Sequence, residues 1–180
     1  MNKIKKIIIG TNNVGKYKEI CDLLPNKVQK HRPTEFKLLT PDETGKSFRE
    51  NSFIKASYFS KKTNLICLSD DSGLEIDLLK GKPGIYSSRW SGEKGNFNLA
   101  MEKIYKEMKR VKHNWENDNS ARFVCAMTIF WPNGKSYTSQ GTIKGKISRE
   151  KKGKKGFGYD PIFIPDGYNK TFGEMDFKLK

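Results

Sequence analysis

The chain is poor in cysteine, in acid and in uninterrupted apolar sequence. Its three cysteines, Cys21, Cys67 and Cys125, are odd in number, widely spaced and without a CxxC pair. That argues against a disulfide framework or a thiolate zinc site, and it suits a reducing compartment. Hydrophobic residues fill only 35% of the 180 positions, and the amino-terminal IKKIIIG has just three isoleucines in a row. A run that short is neither a signal segment nor a membrane span, so the expectation is a first strand in a soluble, cytoplasmic protein with no membrane partner.

What is present is aromatic mass and positive charge. Eleven Phe, seven Tyr and three Trp supply large core side chains, which a disordered chain lacks. Lys and Arg number 35 against 20 Asp and Glu, a formal net charge of +15. Such an excess invites a nucleic-acid reading, because clustered basic residues release counterions from a phosphate backbone. The lysines are spread over the whole chain, however, and the densest group, REKKGKKG at 149–156, is interleaved with glycine. A solvated surface face, or attraction for a small polyphosphate, is preferred over nucleic-acid binding.

Periodicity indicates alternating elements. IKKIIIG reads as a buried strand, and TNNVGKYKEICDLL as a turn and helix with Ile20, Leu23 and Leu24 on one face. FKLLTPDETGKSF reads as a strand end and loop, broken at Pro41 and Gly45. RENSFIKASYFSKKT has helical spacing, with Phe53, Ala56 and Ser60 on one face. NLICLSDDSG reads as a strand running into an acidic turn, and GKPGIYSSRWSG as an ordered loop. Phe97, Met101, Ile104, Met108 and Val111 form an amphipathic stripe that predicts a core-facing helix. ARFVCAMTIFW reads as a central strand, followed by a PNG hairpin signal and KSYTSQGTIKGKI. With neither repeat nor linker, the expectation is one mixed α/β domain over residues 1–180.

Three stretches carry chemistry. TNNVGK, residues 11–16, sits between a strand and a helix, where backbone N–H groups and the helix dipole favour an anion and Lys16 adds a point charge. It lacks the second glycine and the hydroxyl of a Walker loop, and a plain helix-capping turn is the alternative. In LSDDSGLEID, neighbouring side chains of an extended segment point to opposite faces, so one of Asp70 and Asp71 is expected in a given cleft. An acid there could hold Mg²⁺ or orient water, or an Asp or Ser could cap a helix starting near Leu74. FGYDP, residues 157–161, offers aromatic faces that could stack on a base, or that fill core gaps.

Taken together, TNNVGK, ETGKSFRENSFIKA, LSDDSGLEID, GKPGIYSSRWSG, ARF and GFGYDPIFIPDGYNKTFGEM resemble, in order and over nearly the whole chain, the inosine/xanthosine triphosphate pyrophosphatases of the Ham1 type. The resemblance implies an α/β fold: a long curved mixed sheet with flanking helices, and two lobes around a central active-site groove. It implies hydrolysis of ITP, dITP and XTP, noncanonical purine nucleoside triphosphates, to the monophosphate and pyrophosphate. It also implies a Mg²⁺ cofactor and a homodimer.

By position, the resemblance assigns the triphosphate to Thr11, Asn12, Asn13 and Lys16, with Lys55 also directed at phosphate. It makes Glu43 and Asp71 the metal-linked acids, Asp71 also the activator of water, and Ser72 a substrate contact. Phe157, Gly158, Tyr159 and Asp160 match the nucleoside-binding stretch, and Lys180 a base-contacting lysine. Arg89 is given a structural or loop role ahead of a catalytic one. The family continues past that lysine with a Ser-His-Arg segment at the purine, so the sequence is expected to lack a short carboxy-terminal piece. The rival reading from another class is a basic nucleic-acid-binding module without catalysis, whose acids merely cap helices.

Overall fold

The computed structural model describes residues 4–92 and 95–176, so Lys180 lies outside the described residues. The order of elements is β1 (Lys6–Ile9), α1 (Val14–Leu23), β2 (Gln29–His31), α2 (Phe48–Thr63), β3 (Ile66–Ile76), α3 (Phe97–Val111), β4 (Ser120–Phe130), β5 (Ser136–Ile147) and β6 (Phe163–Pro165). The strands form one six-stranded sheet in the order β2-β1-β3-β4-β5-β6. It is mixed: β1 runs parallel to β2 and β3, and β5 antiparallel to β6. A mixed sheet flanked by helices is the expected fold class. The chain divides into two compact units, residues 1–71 with 125–141 and residues 72–124 with 142–180.

In the first unit, the strand β1 is apolar on both faces, as a parallel strand covered on both sides must be. Ile7 and Ile9 pack with Ile20 of α1, and Ile8 packs with Ala56 and Phe59 of α2. The inner stripe of α1 is Tyr17, Ile20, Cys21 and Leu24, spaced at helical intervals. Leu23, which the sequence reading puts on this face, falls outside the stripe and is 79% exposed.

Ser47 caps α2 by accepting from the Glu50 N–H at 3.2 Å, Lys61 and Lys62 occupy its last turn, and Asn64 ends it in the left-handed region at φ 54°. The buried face of α2 is Phe48, Asn51, Ser52, Lys55, Ala56, Phe59 and Ser60. More than half of that face is polar, so apolar spacing alone misplaces it. Phe53, expected inside, is 43% exposed, although its ring still meets Phe130 edge-on at 5.7 Å.

The reading of LSDDSG as a strand that ends in an acidic turn is corrected by the structure. Strand β3 continues through both aspartates to Ile76, and no helix begins near Leu74. In the sheet β3 lies between β1, which bonds it over Ile66–Leu68, and β4, so its backbone is tied into a ladder. That outweighs the turn tendency of Asp, Ser and Gly.

In the second unit, Ala100, Met101, Ile104 and Met108 of α3 pack against Leu74, Ile76, Ile147, Ile162 and Phe163. Val111, at the helix end, is exposed. Phe123, Phe163 and Phe172 form an aromatic triad with centroids 4.6, 5.3 and 6.1 Å apart. Arg122 on β4 grips Glu75 at 2.7 Å and Asp77 at 3.0 Å.

Two glycines on strands, or next to them, predict opposite outcomes. A methyl group on Gly10 would overlap Ser69 Oγ, which donates to the Gly10 carbonyl at 2.6 Å, and would also stand 2.9 Å from Cys67 Sγ and from the Phe59 ring. Gly141 has nothing within 4 Å of that position. In urea unfolding, Gly10→Ala should lose about 1–3 kcal/mol, whereas Gly141→Ala should be neutral or gain up to about 1 kcal/mol.

Candidate active site

The site is built in the first unit from three segments: the loop entering α1, the loop entering α2 with the first turns of that helix, and β3. After β1, Gly10 N–H donates to the Leu68 carbonyl at 2.8 Å, which pins the start of the TNNVGK loop to β3. Thr11 is buried, its hydroxyl accepting from the Asn13 N–H at 3.2 Å. Asn13 caps α1 by accepting from the Lys16 N–H at 3.1 Å, so the capping reading of this turn holds. Capping leaves the helix dipole in place, and that end of α1 still favours negative charge. Asn12 is exposed and donates to Thr40 Oγ1 at 2.7 Å.

The two aspartates of β3 part to different partners, as strand alternation requires. Asp70 Oδ2 lies 2.7 Å from Lys16 Nζ, with the acid side chain 4% and the lysine 19% exposed. Burial works against the Lys16 charge, but Asp70 outweighs it by attraction and hydrogen bonding, and the ammonium is held above its ordinary value. Asp71 meets α2 instead. Its Oδ2 accepts from Asn51 Nδ2 at 3.0 Å, and its Oδ1 is 3.6 Å from Lys55 Nζ. Lys55 Nζ also donates to Glu43 Oε1, so one ammonium bridges two carboxylates.

All three side chains are sheltered: Lys55 and Asp71 are each 7% exposed and Glu43 is 18%. Burial, and secondarily the Glu43 charge, push the Asp71 carboxyl up, against the pull of Lys55, Asn51 and Lys16. A carboxylate whose affinity for a proton is raised in this way is suited to accepting one from water. The lysines are suited to holding phosphate oxygens.

Glu43, Lys55 and Asp71 thus come together, with Lys16 held by the acid adjacent to Asp71 in sequence. Asn51 was missed by the sequence reading. Its signal was its place one helical turn before Lys55, which puts both on one face of α2. Among the described residues no group of three or more His, Cys, Asp or Glu side chains is set to hold a metal ion. Two carboxylates suit a hard cation that keeps waters and takes further oxygens from a phosphate ligand.

The remaining candidates lie in the second unit. Ser72 is half-buried on β3. Tyr159 is 3% exposed, with its hydroxyl donating to the Ser87 carbonyl at 2.8 Å and its ring edge-on to Phe97 at 5.3 Å. Burial raises its phenol far above the ordinary value. Asp160 is buried and accepts from the Phe157 N–H at 2.8 Å, closing the loop on itself. Gly158 adopts φ 64°, which favours glycine. Phe157 and Gly158 line a cavity of about 310 Å³ with Asn96, Phe97, Lys154 and Lys155. Arg89 lies over the Tyr86 ring at 4.9 Å.

A family model described as the Ham1 family matches residues 7–180. A dITP/XTP pyrophosphatase of Bartonella quintana is 41% identical over 98% of this chain and 84% of its own length. One of Rhodospirillum centenum is 42% identical over 94% of this chain and 83% of its own. A solved Ham1 protein of Coxiella burnetii superposes with a TM-score of 0.87 at 34% identity, covering 98% of this chain and 89% of that one. For the Staphylococcus aureus Ham1 protein the TM-score is 0.83 at 33% identity, with 97% and 88% covered.

The shared ammonium yields a stability prediction. Replacing Lys55 with Met leaves Glu43 and Asp71 sheltered together without a counter-charge, a loss of about 3–5 kcal/mol at neutral pH. The Asp71 carboxyl, already raised, loses the first of the influences that lower it. The folded variant therefore binds a proton more readily than the unfolded chain, so its stability recovers as pH falls through that raised value. Urea titrations at neutral and mildly acidic pH should show the gap between variant and parent narrowing.

Proposed function

The chain belongs to the Ham1 family, and on that footing we propose that it hydrolyses noncanonical purine nucleoside triphosphates, ITP, dITP and XTP, to the monophosphate and pyrophosphate. The observation that carries this reading is the convergence of Glu43, Lys55 and Asp71, with Lys16 held by Asp70 beside them in sequence. A basic nucleic-acid-binding module would have no use for a buried carboxylate with raised proton affinity. In its simplest form it would present its lysines to solvent.

In the proposed reaction, water attacks the α-phosphorus in line, a new O–P bond forms, and the bond to the bridging oxygen of the β-phosphate breaks. Asp71 Oδ1 accepts the proton of that water, which its burial favours. Lys16 and Lys55 hold phosphate oxygens and neutralise the charge that builds up there. Thr11, Asn12 and Asn13 present the loop at the amino end of α1 to the triphosphate tail. Ser72 contacts the substrate, and Phe157, Gly158, Tyr159 and Asp160 form the nucleoside-binding stretch, with Lys180 at the base.

The donor set fits a divalent cation, Mg²⁺ in the proposal, held by Glu43 and Asp71. When bound, such an ion polarises phosphate oxygens and screens carboxylate from phosphate. The working form is proposed to be a cytoplasmic homodimer of a single-domain chain.

A pyrophosphate-release assay over the common and deaminated nucleotides tests this directly. The expected result is a kcat/KM for ITP and XTP at least about 100-fold above that for ATP. The reason is that a pocket built for the 6-oxo group leaves polar partners unsatisfied when an amino group replaces it. Asp71→Asn should lower kcat by about 10²–10⁴-fold while circular dichroism stays native. Undiminished turnover in Asp71→Asn, or equal efficiency on ATP and ITP, defeats the assignment.

A further inference from the structure

Asn51 is 0% exposed and uses both ends of its amide. Its Oδ1 accepts from the Gly45 N–H at 2.9 Å, and its Nδ2 donates to Asp71 Oδ2 at 3.0 Å. The partners fix the orientation, because a flipped amide would set carbonyl against carboxylate and amino group against N–H. The fit leaves no slack: a methyl on Gly45 would stand 2.6 Å from Asn51 Oδ1 and 3.0 Å from its backbone nitrogen.

Gly45 is two residues from Glu43, so this amide ties the loop that carries one acid to the strand that carries the other. The tie also consumes Asp71 Oδ2, leaving Oδ1 on the side of Lys55, 3.6 Å away, where Glu43 Oε1 is also bound. A carboxylate held by one oxygen presents the other in a set direction. Without the tie, Asp71 could rotate and the Glu43 loop would lose this link to β3, leaving the flexible side chain of Lys55 between the two acids.

We propose that Asn51 is a positioning residue, which sets the separation and orientation of the Glu43 and Asp71 carboxylates for a divalent cation. This rests on the metal-dependent reading given above and adds to it the residue that shapes the acid pair. Asn51 touches neither cation nor substrate. It acts through Asp71 and through the Glu43 loop, as partners of metal-binding carboxylates commonly do.

The test is Mn²⁺ binding to the full chain without nucleotide, followed by electron paramagnetic resonance. It compares the parent, Asn51→Leu and Ser47→Ala, the last weakening the α2 cap without touching either acid. Asn51→Leu should weaken Mn²⁺ binding about 10–100-fold, with the Mg²⁺ concentration for half-maximal turnover rising by a like factor. Ser47→Ala should stay within about twofold of the parent, because loss of a cap acts on stability alone. Unchanged Mn²⁺ affinity in folded Asn51→Leu overturns the proposal, as does equal weakening in both variants or a parent that binds no Mn²⁺.

Should Asn51→Leu not fold, nitrogen-15 resonance of the parent decides. The Asn51 side-chain amide should exchange more slowly than that of exposed Asn12 and should shift on addition of Mg²⁺; a fast-exchanging or unmoved signal overturns the proposal. Pyrophosphate release by the parent is scored separately. Its absence would defeat the function while the Mn²⁺ comparison still judges Asn51.

Discussion

A buried ammonium has to be matched by acid, and Lys55 is the point around which the first unit is arranged. Taking a charged amine out of water costs several kcal/mol unless partners replace the lost hydration. Lys55 finds them in Glu43 and Asp71, and each acid is in turn held by the need of the other for the same cation. The Asn51 amide then takes the remaining oxygen of Asp71. Gly45 gives up its side chain so that the loop can approach that amide. Loop, helix and strand are thereby fixed by one chain of polar contacts.

That arrangement explains why the sequence speaks clearly about some elements and misleads about others. Strand β1 is legible because its isoleucines face packed helices on both sides, and α3 because its buried stripe is apolar at helical spacing. The inner face of α2 carries Asn51, Ser52, Lys55 and Ser60. Apolar periodicity therefore points to Phe53, which follows the buried Ser52 and lies about 100° round the helix from it. The aspartates look like a turn because Asp-Asp-Ser-Gly is turn chemistry in isolation. Its place inside β3 keeps that segment extended, and a single strand's sequence does not reveal what bonds to its edges.

The candidate site was legible in a different way. Lys16 and the Asp70–Asp71 pair were readable from residue type and order, and Glu43 and Lys55 through the family resemblance, whereas the mutual contacts of these side chains were not. Asn51 escaped notice because its one sequence signal, the spacing to Lys55, does not reveal its partners, the Gly45 N–H and the Asp71 carboxylate. For Tyr159 and Asp160 the sequence left stacking and packing open. Their burial and internal hydrogen bonds show that each already has a structural task, so whatever else they contribute must be compatible with that task.

The charge balance explains why acids and excess lysine coexist. Overall the chain is strongly basic, with a formal net charge of +15, which draws polyanions in from a distance at low ionic strength. At close range the balance is reversed, because two ammonium groups, Lys16 and Lys55, meet three carboxylates, Asp70, Asp71 and Glu43. A triphosphate drawn in by the whole surface would therefore meet local repulsion on arrival. Under the proposed function a divalent cation reverses the sign where Glu43 and Asp71 converge, and phosphate oxygens compete with Asp70 for Lys16. The excess of base over acid in the chain as a whole then sharpens selectivity: the polyanion is attracted generally, but under this reading is held well only when a cation accompanies it.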